Sequence, residues 1–253
     1  MNFDLVMVAT LRPELLKTTL NSFKENLFQN RLKQTKLIIN LDMVGSEENN
    51  VYENYMEIQS ILYNLKFKEI LLRVSNKPHF GIAWFWAMAQ ARSELIFYLE
   101  EDWQLLKQVN FDKMLKLFRE DEKLVHLRLS QFASRDTTCK NWNKFLVWNG
   151  KYFEPKIEEK GLLGFCGHPS LNRRSFLRNC MLYMDPYANP EKQIKTHRIP
   201  TEIDDLINEN NFGSFIKPNE PAQIIDLGRI WMQKHGWIKQ GNKAFFTTWE
   251  RSE

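Results

Sequence analysis

Short apolar runs alternate with segments of helical period through the N-terminal part of the chain, and few architectures accept that order. Phe3 to Leu11 is the first run, and Pro13 then stands in a first helical turn ahead of Leu15, Leu16, Leu20 and Phe23. Lys36 to Leu41 is the second run and closes on Asp42. After a polar loop at Gly45-Ser46, residues Tyr52, Tyr55, Met56 and Ile58 to Leu62 recur at helical spacing. Phe67 to Val74 reads as a third strand, Ile82 to Ala91 as a helix and Leu95 to Leu99 as a fourth strand. Strands joined by helices of this length are right-handed parallel crossovers. The spacing therefore predicts an α/β fold: a central, mostly parallel sheet flanked by helices.

Beyond Trp103 the alternation stops. Phe111 to Phe118 has helical period and Val125 to Leu129 reads as a strand. Phe145 to Trp148 and Lys151 to Phe153 flank Asn149-Gly150, a strong hairpin signal. Ser170 or Asn172 is expected to cap a helix starting near Arg173, Asp185 to Pro200 to be a long loop, and Ile203 to Asn208 to be helical. Antiparallel pieces would finish the sheet. No linker, repeat or low-complexity tract divides the chain, so residues 1–253 are read as one domain, with an aromatic tail around Trp237 and Phe245 to Trp249 docked on it.

Composition removes several function classes. Lys and Arg number 35 against 31 Asp and Glu, a net charge of +4, and no basic block demands a nucleic-acid partner. Cys139, Cys166 and Cys180 are odd in number and lack CxxC spacing, which argues against a disulfide framework and a zinc ribbon and fits a reducing cytoplasm. Cys166, set among glycines and apolar residues, is read as core. The five histidines show no HxH or HExxH spacing. No apolar stretch approaches the roughly 20 residues of a membrane-spanning helix.

The chemistry concentrates where Leu95 to Leu99 runs into Glu100-Glu101-Asp102. Hard divalent cations take oxygen ligands, and a buried strand that delivers carboxylates to its C-terminal end is a rigid way to present them. The same residues would also serve as a solvated acidic turn. Their position decides for function: ligands of open α/β sheets bind beyond the strand C-termini, where Thr10, Arg12 and Asp42 also fall.

In their order these segments resemble the nucleotide-sugar glycosyltransferases of the GT-A fold, in particular the large inverting group called family 2. The similarity runs from Leu5-Val6-Met7-Val8-Ala9-Thr10-Leu11-Arg12-Pro13-Glu14 to Gly228. It implies that Thr10 lies near the nucleotide and that Asp42 contacts the base. Asn76-Lys77-Pro78-His79-Phe80-Gly81 is similar to the family's donor-contact segment, with a longer asparagine-to-glycine gap and Trp86 in place of a small or polar residue. Glu100-Glu101-Asp102 falls where the family carries its Asp-x-Asp metal motif. Gly167 to Phe176 is similar to the segment beneath the acceptor site. Glu191, followed by Ile194, matches the catalytic base and its apolar neighbour, without the second acid of the usual pair; Glu202 and Asp204 are the fallback positions.

The resemblance implies a metal-dependent glycosyltransferase that moves a hexosyl or pentosyl group from a nucleotide-diphosphate donor to an acceptor hydroxyl, with inversion favoured over retention. Glu191 would be the catalytic base. Thr10, Arg12, Asp42, Asn76, Lys77, Gly81 and Glu101 would bind the nucleotide sugar, a UDP-sugar being the favoured donor. Asp102, helped by Glu100, would hold Mn2+ or Mg2+. Residues 1–103 would be the nucleotide-sugar half and 104–253 the acceptor half and tail. Arg229 would close the site from the C-terminal side. The acceptor would be a glycan or another hydroxyl compound, with a modified DNA base kept open; Lys192, Lys195, His197 and Arg198 slightly favour an anionic acceptor, an ordinary solvated loop being the stronger reading. Trp84, Trp86 and Trp103 are read as ring-stacking or core residues, and His168 as facing the acceptor or structural. Two alternatives stand beside this reading. A nucleotidyltransferase of similar architecture would need a glycine-rich phosphate loop after the first strand, which is absent from the sequence. A non-catalytic carbohydrate- or nucleic-acid-binding protein would keep the fold and lack turnover.

Overall fold

The computed structural model describes residues 2–46, 48–129, 145–195, 201–215, 223–241 and 247–251. The N-terminal elements are β1 (Phe3–Thr10), α1 (Pro13–Phe23), β2 (Lys36–Asp42), α2 (Val51–Asn64), β3 (Glu69–Ser75), α3 (Phe80–Gln90) and β4 (Leu95–Glu100). Then come β5 (Trp103–Leu105), α4 (Phe111–Glu120), β6 (Leu124–Arg128), β7 (Leu146–Trp148), β8 (Phe153–Pro155), α5 (Lys160–Leu163), β9 (Ser170–Arg173) and α6 (Arg174–Met181). The chain continues through α7 (Pro190–Lys195), α8 (Thr201–Glu209), β10 (Asn211–Ser214), β11 (Ile224–Asp226), α9 (Gly228–Lys234), β12 (Trp237–Gly241) and β13 (Thr247–Arg251).

The main sheet has the order β3-β2-β1-β4-β9-β6-β10-β8-β7. Its first four strands are parallel, as expected. They are apolar because both faces are covered. Leu5, Met7, Ala9, Leu37, Ile39 and Phe97 point into the core that also takes Leu16, Leu20 and Phe23 of α1 and Ile58 of α2. Val6, Val8, Ile38, Ile96 and Tyr98 point the other way, among Ala83 and Trp84 of α3 and Phe176 and Leu177 of α6. The register sets Thr10 beside Asp42 and Val8 beside Glu100, so the chemistry-bearing residues share one sheet edge.

The later strands are mixed. The expected helix cap at Ser170 or Asn172 is instead part of β9, an antiparallel strand between β4 and β6. Asn172 is buried because its Oδ1 lies 2.6 Å from His126 Nδ1 while its Nδ2 donates to Ser170. A polar residue satisfied inside the sheet hides the strand from a hydrophobic-pattern reading. The helix does begin at Arg174, without a side-chain cap. Within the expected loop 185–200 lies the short helix α7, with Pro190 as its first residue, where a missing N–H costs nothing. The Asn149-Gly150 hairpin is present, with Gly150 at φ 92°. The tail forms a separate antiparallel pair, β12 with β13. Cys139, His197, Arg198 and Phe245-Phe246 lie outside the described residues. No helix among the described residues is long and apolar enough to cross a membrane.

Candidate active site

A cleft of about 380 Å³ opens at the C-terminal ends of β1, β2 and β4, and the α7 segment walls its other side. Thr10, Arg12, Asp42, Glu100, Glu101, Asp102 and Glu191 all line it. The sequence scattered them over most of its length, and the sheet edge with the α7 segment gathers them.

One end is a buried charge cluster. Glu101 Oε1 accepts hydrogen bonds from Thr10 N (3.0 Å) and Thr10 Oγ1 (2.7 Å), and from Arg12 Nε (3.1 Å) and Nη2 (2.5 Å). Arg12 is only 1% exposed, and its Nη2 also donates to Asp102 Oδ2 at 3.1 Å. Burial works against the charge on Glu101, but Arg12 and the hydrogen bonds from Thr10 and Arg12 outweigh it and hold the carboxyl below its usual range. Asp102 differs. Burial first, then the charge of Glu101, pushes its carboxyl up to about 6, against the pull of Arg12; the nearby charge of Asp226 pushes the same way.

At the end of β2, Asp42 is fixed by Asn40 Nδ2, which donates to Oδ1 at 2.8 Å, and by the backbone N–H of His79, which donates to Oδ2 at 3.0 Å. Burial raises the Asp42 carboxyl above its ordinary value in spite of these bonds. His79 caps α3 by accepting from Ile82 N. This contact ties β2 to the start of α3.

Glu191 enters from the opposite wall. Its Oε2 lies 3.2 Å, and Glu100 Oε1 lies 3.5 Å, from the point a Cβ on Gly167 would occupy, so the two carboxylates converge on one backbone position. Tyr98 donates its hydroxyl to Glu100 Oε1 at 2.8 Å. The segment carrying Glu191 is held by Gln193, whose amide donates to the carbonyls of Asp185 and Ala188 and whose oxygen accepts from Asp185 N, and by the buried Ile194. It also needs Gly81: a Cβ there would sit 2.5 Å from the Pro186 carbonyl and 2.7 Å from that of Ala188. Gly81 thus seats the α7 segment against α3.

Other expected residues stand apart. Asn76 and Lys77 occupy an exposed turn after β3 and do not line the cleft. Arg229 is largely exposed, its Nε 3.6 Å from Asp226 Oδ2. Trp84 and Trp103 are core residues, and His168 packs on the Trp103 ring with centroids 5.1 Å apart. Cys166 is core, as expected, but has partners that spacing did not reveal. Its Sγ lies 3.7 Å from His126 Nε2, and although burial opposes ionisation, His168 and Arg128 draw the thiol well below its usual range. Gly228 was missed as a site residue. Its α-carbon packs on the Asp102 carboxylate so closely that a Cβ would stand 2.9 Å from Asp102 Cγ. Glycine offers no side chain to a motif search.

Among the described residues no three His, Cys, Asp or Glu side chains form a metal cage. Asp102 nevertheless fits a hard cation. Its Oδ1 accepts no hydrogen bond among the described residues, and it lines the cleft beside Glu100 and Glu101. Mg2+ and related ions are commonly held by one or two carboxylates, with phosphate and water in the remaining positions.

Neither a family model nor a curated protein matches this chain. Solved structures do. The crystal structure of S. aureus TarS 1-349 is 14% identical, with a TM-score of 0.54 over 88% of this chain and 59% of that one. The chain has the GT-A fold. A mannosyltransferase, PcManGT from Pyrobaculum calidifontis in complex with GDP-Man and Mn2+, is 12% identical, with a TM-score of 0.53 over 87% of this chain and 56% of that one. TarS 1-349 in complex with UDP-GlcNAc is also 12% identical, at a TM-score of 0.54 over 88% and 57% of the two chains. The present GT-A chain therefore spans less than two thirds of these structures. At such identity the likeness speaks for the fold, and the function rests on the site.

Proposed function

We propose that this chain is a metal-dependent, inverting glycosyltransferase that uses a nucleotide-sugar donor. The observation that carries the reading is the placement of Glu191 in the same cleft as the Arg12–Glu101–Asp102 cluster and Asp42, on a separate structural element. Asp42 accepts from the base of the donor, Thr10 lies beside the nucleotide, and Arg12 faces the diphosphate. Exposed Asn76 and Lys77 act on the donor only at its periphery. Glu101 fixes Arg12. In the transfer, the Glu191 carboxylate takes the proton of the acceptor hydroxyl as that oxygen bonds to the anomeric carbon. The bond from the anomeric carbon to the phosphate oxygen breaks, and its electron pair leaves with the nucleoside diphosphate. Asp102, helped by Glu100, would hold Mn2+ or Mg2+, and the ion would offset charge on the departing phosphates, a contribution of several kcal/mol.

Solved neighbours of the same fold are complexes with UDP, UDP-GlcNAc and GDP-Man, the last with Mn2+, which supports a nucleotide donor and a divalent ion. A UDP-hexose is the first donor to test, and a glycan hydroxyl the first acceptor, ahead of a hydroxylated DNA base. Residues 1–103 form the donor half, and 104–253 supply the acceptor side together with the wall at Gly228. Free, buried Cys166 and Cys180 support a reducing, cytoplasmic setting.

Sugar nucleotides screened by thermal shift with and without Mn2+ identify the donor, because a ligand of the folded state raises the apparent stability. Turnover of Glu191→Gln with that donor then tests the base. The expected loss is about 10²–10⁴-fold, with an unchanged donor-induced shift. Full turnover by a folded Glu191→Gln would remove Glu191 from the role.

A further inference from the structure

We propose that Gly228 and Trp231 are positioning residues for the Arg12–Asp102 pair, so that the β11–α9 unit sets the direction of the Asp102 carboxylate. This rests on the glycosyltransferase reading. Asp102 belongs to the turn after β4, where no strand pairing fixes its side chain. What fixes it comes from the far end of the chain. Asp226 pairs with Trp103 as β11 runs antiparallel to β5. Leu227 N donates to the Asp102 carbonyl at 2.8 Å. Asp226 Oδ1 accepts from Gly228 N at 2.8 Å, which holds the first turn of α9 in place.

The Gly228 α-carbon then lies against the Asp102 carboxylate, where a methyl group would overlap both Cγ and Oδ2. From the other side, Arg12 Nη2 grips the same Oδ2. Arg12 is itself flanked by Trp231, its guanidinium carbon 5.1 Å from the ring centroid, an arrangement favourable for a desolvated cation. Trp231 is buried, and its indole N–H donates to Glu14 Oε1 on α1. Oδ2 is thus enclosed between Gly228 and Arg12. Oδ1 is left to accept a cation from the cleft.

Residues that orient a metal ligand without touching the metal typically change metal affinity by about 10–100-fold when altered. Thermal shift of the full chain with UDP or GDP, over a titration of Mn2+, measures this without turnover. Gly228→Ala is expected to weaken the apparent Mn2+ affinity by about 10–100-fold. Trp231→Phe keeps an aromatic face beside Arg12 but shrinks it and removes the indole donor, so a smaller weakening is expected. Wild-type Mn2+ dependence in both folded variants overturns the positioning role. If Gly228→Ala fails to fold, unchanged Mn2+ dependence in Trp231→Phe does so by itself. A wild-type protein that responds to neither nucleotide, with or without Mn2+, overturns the functional reading itself.

Discussion

The two ends of the cleft are held by different forces. At the Asp102 end, Thr10, Arg12 and Glu101 exchange charged hydrogen bonds away from water, and Trp231 flanks the cation. At the Glu191 end the described contacts that seat the segment include the Gln193 amide on two backbone carbonyls, Ile194 in the core, and Gly81 beneath Pro186 and Ala188. The difference suits the proposed roles. A group that meets a diphosphate must keep a fixed field, which partnered charges in a low-dielectric site provide. A base must meet the acceptor and accept its proton, so its position relative to the cleft matters most. Damage at the first end should therefore appear as lost stability, and damage at the second as lost turnover.

Arg12→Met breaks the comparison most severely. It leaves Glu101 buried without its cation, and removing one partner of a buried ion pair typically costs about 3–5 kcal/mol. Urea unfolding monitored by circular dichroism should show the loss, while Glu191→Gln unfolds like the wild type. Equal midpoints for Arg12→Met and wild type would mean that the cluster does not hold this end together.

The same contrast explains what was legible in the sequence. Thr10, Asp42 and Glu100 sit at the ends of apolar strands whose two-sided burial writes itself as continuous hydrophobic runs, so their shared edge followed from topology. β9 was hidden because Ser170 and Asn172 are polar residues satisfied inside the sheet. β5 and β11 are three residues each, below the length at which alternation is recognisable. The acidic run after β4 pointed to a carboxylate at Asp102, but the backbone packed against it at Gly228 leaves no periodic trace. Gly81 was visible only as part of a donor segment, and its close approach to two carbonyls is a property of the folded chain.

Gly81→Ala probes the Glu191 end. The added methyl meets two backbone carbonyls that cannot swing aside, and overpacking of this kind costs about 1–3 kcal/mol. The larger consequence is for Glu191: moving the segment by about 1 Å can cost roughly 10²-fold in rate. Steady-state kinetics should show kcat falling while the Mn2+-dependent nucleotide shift persists. A variant with wild-type kcat would detach the Gly81 seat from Glu191.

The smallest expected effect separates the two acids of the charged end by pH. Asp102, raised to about 6 in the folded protein, takes up a proton there more readily than in the unfolded chain, so between its unfolded value near 4 and about 6 the folded state binds more protons. Stability from this group accordingly falls as pH rises through that window, and acidification from pH 7.5 to 5 should stabilise the metal-free protein. Glu101 acts in the opposite sense: its carboxyl is lowered by Arg12 and Thr10, so its contribution is full above about 4.3 and is lost as pH falls through the lower folded value. Asp102→Asn keeps an acceptor for Arg12 and removes the unbalanced charge. At pH 7.5 without metal it should be more stable than wild type by on the order of 1–2 kcal/mol, and it should gain less on acidification. Thermal melts across pH 4–8 measure both curves. With Mn2+ and nucleotide present the order should reverse, because only the wild-type carboxylate recovers its desolvation cost by binding the ion. A variant no more stable than wild type at pH 7.5, with the same gain at pH 5, would show that the Asp102 charge is already balanced and that this end of the cleft has no call for a cation.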